Sequence, residues 1–345
     1  MSSVGVLDGA IAPQENVALY GHNEALDFLA RAYRSGRIHH AVLLEGPQGI
    51  GKATLAFRFA NHVLSHPDPS MAPEEIAPPD PQSPVFREIA SGASHHVLHL
   101  TRPVDEKTGR VKSAITVDEV RRTARLFGRT TGTDGWRIVI VDPADDMNRN
   151  AANALLKMLE EPPKRALFLL VSHAPGRLLA TIRSRCLPLR LMPPGEEDLM
   201  HAFQRLPAGA ALDPERRREI VARAEGSLSR AILLANYGGL DIVEAFERAI
   251  TEPGAKARME MHALADVLAA RDREETFRFF CEHFLDWVSD EARAAALAGD
   301  SRTAAAYAAL AQRALADIAT ADAYNLDRKQ LVLSLFSALS ELRAP

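Results

Sequence analysis

Gly46, Gly51 and Lys52 stand at the spacing G-x-x-x-x-G-K within the stretch EGPQGIGKATLAFRF, residues 45–59. A phosphate-binding loop continues with Ser or Thr, but here the next residue is Ala53. The N–H groups that open a helix have no partner inside it and carry the positive end of its dipole, so Gly46, Gly49 and Gly51 are candidates to cradle phosphate. Lys52 would add its charge beside the outer phosphates. The missing hydroxyl normally ligates Mg²⁺. Thr54 carries the nearest hydroxyl and remains a candidate, although one helical step turns it by about 100°, towards packing.

A second chemical signal lies in WRIVIVDPADDMN, residues 136–148. Asp142 ends an apolar run, where a carboxylate could hold Mg²⁺ through water. Pro143 occupies the next place, where an acid would activate water, and proline has no base to offer. Asp145 and Asp146 read as turn or capping residues of the following loop. With Ala53 and Pro143 together, the sequence points to a loop of phosphate-binding shape that does not turn ATP over.

These residues need a scaffold. The apolar runs at 39–45, 136–142 and 166–172 read as buried strands, with helical spacing over 52–64 and 150–161. Strands that alternate with helices imply a parallel α/β sheet covered on both faces. Residues 66–84 hold seven prolines in nineteen positions and read as an exposed insertion. Residues 117–127 are expected to form a helix with Val117, Val120, Ala124 and Phe127 in the core and Arg121, Arg122 and Arg125 on a solvated face, a minority reading being phosphate contact. From about 191 onward the pattern is helical, with 291–323 and 328–342 as long helix formers. The expected domains are an α/β module over 1–190, a small helical domain over 191–250 and an all-helical domain over 251–345.

Composition narrows the function classes. A net charge of −4 gives no global pull towards nucleic acid or anionic membrane. Cys186 and Cys281 are the only cysteines and cannot build a Cys₄ zinc site; a reduced, cytoplasmic setting is expected, and a bridge between them stays open by count. Neither a signal peptide at the N-terminus nor a run long enough to span a membrane is expected.

The segments RNAANALLKMLEEPP (149–163) and LFLLVSHAPGRLLATIRSRC (167–186) resemble clamp-loader subunits of the AAA+ class in the bacterial DNA polymerase III system. The similarity begins near Ala18 and, apart from the proline-rich insertion, runs to about Arg190. It implies an AAA+ P-loop module, a helical lid and a helical collar that assembles the complex. Expected partners are gamma/tau and delta subunits and, through the complex, a sliding clamp and primer-template DNA. Arg185, in Ser184-Arg185-Cys186, would be an arginine finger for a neighbouring subunit's ATP site; an ion pair within the chain is the plain alternative. Ser172 falls at the family's polar sensor, and His173 reads as a loop histidine. Cys186 reads as a small buried residue. The resemblance also implies an arginine that senses the outer phosphate in GSLSRA, 226–231, but here Ser229 stands at that position and Arg230 one residue late. Relatives carry a four-cysteine zinc module after the first helix, whereas this insertion holds no cysteine, so no zinc is expected. The two functions implied are a largely non-hydrolysing subunit and, with Lys52, Asp142 and Arg230 retained, a gamma/tau-like motor.

Overall fold

The computed structural model describes residues 6–105, 111–128, 135–251, 254–270 and 273–343. The α/β part runs α1 (Asn23–Arg34), β1 (Ala41–Glu45), α2 (Lys52–Ser65), α3 (Pro84–Ala90), β2 (Val97–Leu100), α4 (Val117–Gly128), β3 (Arg137–Val141), α5 (Arg149–Glu160), β4 (Ala166–Ser172), α6 (Ala180–Arg183) and β5 (Leu187–Arg190). All strand pairs are parallel, in the order β2-β3-β4-β1-β5. The three expected strands form the centre of the sheet. The edge strands β2 and β5 are short and only partly buried, so they carry no continuous apolar run by which to recognise them.

Alternation along the strands builds two cores. Val42, Leu44, Ile138, Ile140, Leu167 and Leu169 face α1 and α2. Their neighbours Ala41, Leu43, Val139, Val141, Phe168 and Leu170 face residues of α4, α5 and α6, among them Val120, Leu155, Leu159 and Ile182. Period-two alternation on a sheet covered on both faces leaves every central-strand residue apolar.

The proline-rich segment is largely exposed, as expected, but it is anchored to the α/β core. Ala72 and Ile76 are buried in the core shared by α1 and α2. Its carbonyls accept hydrogen bonds from Tyr33 Oη at His66 (2.6 Å), Trp136 Nε1 at Pro67 (3.2 Å), the Arg34 guanidinium at Ala72 and Arg58 Nη2 at Ile76 (3.0 Å). Proline removes donors but leaves every carbonyl, and these basic and aromatic side chains supply what the segment lacks. In α4 the inward face is Val120, Thr123 and Leu126, with Ala124 exposed, so the expected core stripe is shifted there.

Among the described residues from 196 onward the elements are helices: α7 (Glu196–Gln204), α8 (Pro207–Ala210), α9 (Pro214–Ala224), α10 (Leu228–Asn236), α11 (Gly239–Thr251), α12 (Gly254–Leu268), α13 (Glu274–Leu297), α14 (Ser301–Tyr324) and α15 (Arg328–Arg343). The helix former at 291–323 is two helices. The break lies at 298–300, where Gly299 takes φ 82° and the Asp300 carboxylate accepts from Thr303 N–H at 3.0 Å, capping α14. Strong propensity on both sides conceals a two-residue stop signal. Cα packing divides the chain into compact units at 1–232 and 233–345. The second has its own aromatic core, in which Phe246 meets Phe280 and Phe284 edge-on at 6.2 and 6.1 Å. Among the described residues no helix is long and apolar enough to cross a membrane.

The buried anchor of the proline-rich segment is testable. Ile76→Ala should destabilise the protein by about 2 kcal/mol or more in urea unfolding, the cost of a core cavity. A change within about 0.5 kcal/mol, the range of surface substitutions, would mark the segment as a dispensable loop.

Candidate phosphate loop and arginine site

The glycine loop leaves the C-terminal end of β1 and opens α2, the arrangement that aims helix-start N–H groups at an anion. Gly46, Gly49 and Gly51 all have positive φ, at 152°, 79° and 101°. At Gly49 glycine is demanded twice: its φ is left-handed, and a Cβ would lie 2.2 Å from Ser227 Oγ. The loop lies against residues 227–229, with Leu228 N–H donating to the Gly49 carbonyl and Ser227 Oγ to that of Gln48, both at 2.9 Å. A Cβ on Gly49 would also sit 2.8 Å from Ser229 Cβ, so Ser229 packs against the loop. Arg230 turns to Glu225, with Nη2 3.8 Å from Oε1.

Further contacts close the loop on itself. Lys52 is buried at 3% exposure, and its ammonium donates to the carbonyls of Gly46 (2.5 Å) and Pro47. His22 Nε2–H donates to the Ile50 carbonyl at 2.6 Å. Thus each carbonyl from Gly46 to Ile50 has a partner within the chain. Burial pulls the Lys52 ammonium down to about 8, while the Asp142 and Asp145 carboxylates oppose that shift. His22 and Ser227 were not legible as loop contacts, because they lie 28 and 179 residues from their acceptors.

Around the ends of β3 and β4 the acids divide their work. Asp142 Oδ2 lies 3.7 Å from His99 Nε2. Asp145 is more than a turn residue: its carboxylate accepts from Ser172 Oγ at 2.7 Å and from His173 N–H at 2.5 Å. Ser172 therefore stands where it was expected, at the end of β4, with its hydroxyl committed to Asp145. Asp146 pairs with Arg102 Nε at 3.1 Å, and burial still raises its carboxyl above the usual range. Burial, and then the Lys52 charge, lower the His173 imidazole to about 4, so the ring is neutral at neutral pH. Thr54 is buried within α2, as a packing residue would be.

The glycine geometry and Lys52 fit a phosphate chain. The position for Mg²⁺ fits poorly: Ala53 offers no oxygen, and Asp142 is the one carboxylate at the β3 end not held by a hydrogen bond or Arg102. The residues present suit an anion better than a metal, with the Lys52 ammonium donating to the loop's own carbonyls.

Arg185 follows α6 and precedes β5. Its Nη2 is 2.8 Å from Glu160 Oε1, and its Nη1 donates to the Thr181 carbonyl at 3.1 Å. The guanidinium is about one-third exposed, at 36%. Register separates it from the glycine loop. Leu187, at the start of β5, pairs with Val42, and Arg190, at its end, pairs with Glu45, the residue before the loop. Arg185 thus occupies the N-terminal edge of the sheet and the loop the C-terminal edge. Cys186 and Cys281 are both free and buried in separate apolar clusters, where burial raises each thiol to about 12.

Residues 21–195, the loop and Arg185 included, match the family described as "DNA polymerase III, delta subunit". The chain belongs to that family. It is 32% identical over 251 residues to the DNA polymerase III subunit delta' of Pseudomonas aeruginosa, covering 72% of this chain and 70% of that one. Identity to the delta' subunit of Bacillus subtilis is 28% over 266 residues, covering 77% and 70%. The DNA polymerase III subunit gamma of Buchnera aphidicola matches at 27% over 227 residues, covering 65% of this chain and 58% of that one.

The buried lysine yields a pH test. Unfolded, its ammonium titrates near 10.5, and in the folded chain near 8. Below pH 8 the folded state bears the full cost of burying the charge. From pH 8 to 10.5 the unfolded chain holds a proton that the folded chain has released, so this group adds stability as pH rises, by up to about 1.4 kcal/mol per pH unit. Lys52→Met should therefore be most stabilising, relative to the wild type, near pH 7, and that advantage should shrink across the window. Urea unfolding of both proteins at several pH values checks this, and a constant difference would contradict it.

Proposed function

We propose that this chain works as a delta-prime-type subunit of a cytoplasmic DNA polymerase III clamp loader. In this reading it braces neighbouring subunits and offers Arg185 to the ATP site of one of them. Gamma/tau and delta subunits are its direct partners, and the sliding clamp and primer-template DNA are met through the complex. Residues 191–250 serve as the lid and 251–345 as the collar. The observation that carries the reading is the position of Arg185. β5 alone spans roughly 13 Å at the usual rise per residue, which sets the arginine away from the loop of its own chain and supports a phosphate partner in another. A guanidinium presented there can offer its planar fork to phosphate oxygens and take up transition-state charge.

The chain's own loop is read as a phosphate-binding shape without turnover. Gly46, Gly49, Gly51 and Lys52 could still hold ATP. The apparatus for hydrolysis is lacking: Ala53 supplies no metal ligand, Pro143 no base, and Ser172 is occupied by Asp145. Similarity to a gamma subunit supports the rival reading of a motor, in which Lys52, Asp142 and Arg230 would act together on ATP. Against it stand Arg230 directed to Glu225 and Ser229 in its place on the loop.

Two outcomes separate these readings. The isolated chain should show negligible Mg²⁺-dependent ATPase activity; robust turnover abolished by Lys52→Ala would establish the motor. In the reconstituted complex, Arg185→Ala should preserve assembly yet depress DNA- and clamp-stimulated ATPase and clamp loading, since a finger contributes on the order of 10³-fold at the site it serves. Arg185→Lys should rescue poorly because an ammonium lacks the fork. Wild-type loading by the alanine variant would reduce Arg185 to a structural ion pair.

A further inference from the structure

Glu160 is the last residue of α5, and its carboxylate sits where the helix dipole disfavours negative charge. A pairing this exposed adds little to stability, with Arg185 at 36% and Glu160 at 48% exposure. Neither helix preference nor folding energy accounts for an acid at this place. The arrangement around it is nonetheless well anchored. Leu159, next to Glu160, and Cys186, next to Arg185, are buried in one core together with Ile182 and Leu155. The backbone on each side of the pair is therefore held by packing, and only the two charged heads reach solvent.

The donor inventory of Arg185 shows what the pair can do. Guanidinium has five N–H donors in a rigid plane. Glu160 Oε1 lies 2.8 Å from Nη2 as an ion pair, and the Thr181 carbonyl accepts from Nη1 at 3.1 Å. Ser184 Oγ lies a further 3.5 Å from Nη1, at the limit of a hydrogen bond. These contacts tether both terminal nitrogens and leave Nε–H with further N–H groups for another acceptor. A flexible arginine loses side-chain freedom when it engages phosphate, and a braced one has already lost it.

We propose that Glu160 is a positioning residue for Arg185. It fixes the guanidinium plane at the N-terminal edge of the sheet, so that the remaining donors face the phosphate of a neighbouring subunit. The proposal rests on the reading of Arg185 as a finger acting in trans, and it assigns to α5 a part in that action. Glu160 touches no substrate; it acts through Arg185 alone.

The test uses the reconstituted complex carrying Glu160→Ala, Glu160→Gln, Arg185→Ala or the double alanine variant. Clamp loading is followed against ATP concentration, and each variant's assembly and urea midpoint are measured alongside. Glu160→Ala should lower the maximal loading rate about fivefold, the scale of one exposed ion pair, with the half-saturating ATP concentration and assembly unchanged. Glu160→Gln keeps an acceptor oxygen without the charge and should fall between Glu160→Ala and wild type. The double variant should be no slower than Arg185→Ala, since without the arginine there is nothing left to position. An unaltered rate in Glu160→Ala, with Arg185→Ala impaired, overturns the positioning role and leaves the finger intact. A faster rate in Glu160→Ala overturns it too, because the acid would then restrain the arginine. Additive losses accompanied by a lower urea midpoint would make Glu160 a structural residue only. Full activity in Arg185→Ala removes the finger reading itself, and this proposal with it.

Discussion

The parallel register of β1 with β5 is the constraint on which the other features depend. Because both strands point the same way, the loop that follows β1 and the arginine that precedes β5 are sent to opposite edges of one sheet. Antiparallel pairing would have brought the end of one strand beside the start of the other. The sheet is held in place by continuous apolar burial in β1, β3 and β4, covered on both faces by helices. A one-residue slip in such a sheet would exchange its two cores, which differ in the size and shape of the residues they pack.

At the C-terminal edge, the loop geometry reflects competition for a small number of polar groups. Backbone carbonyls there need donors, and Lys52, Ser227, Leu228 and His22 supply them from three separate stretches of chain. An ammonium buried against carbonyls has exchanged water for fixed dipoles, and the lowered affinity of Lys52 for its proton records how incomplete that exchange is. The acids nearby show the same economy. Asp145 satisfies the first backbone amide beyond β4 and the Ser172 hydroxyl together.

At the other edge, packing holds the backbone and the charged heads reach solvent. Cys186 illustrates the division. Its thiol is buried and held protonated far above the ordinary range, so it serves as an apolar anchor beside an arginine that reaches solvent. The proline-rich segment follows a related logic on the opposite face of the sheet: proline lowers the chain entropy lost on ordering, and side-chain donors from α1 and α2 meet its carbonyls.

Features determined by residue type or short-range period were legible in the sequence alone. The missing hydroxyl at Ala53, the missing acid at Pro143, the glycine spacing and the three central strands all belong to that class. The family could be read from NALLKMLEEPP and SRC because the two strings in combination are specific. The tertiary structure decided which distant groups meet: Ser227 on the loop, Asp145 on Ser172, and Glu160 on Arg185, pairs separated by 179, 27 and 25 positions. It also decided that Ala72 and Ile76 anchor the proline-rich segment in the core and that the inward face of α4 passes through Thr123 instead of Ala124. The physical reason is common to all of these. A side chain's partner across a long loop depends on where the sheet returns the chain, and composition and periodicity carry no record of that return.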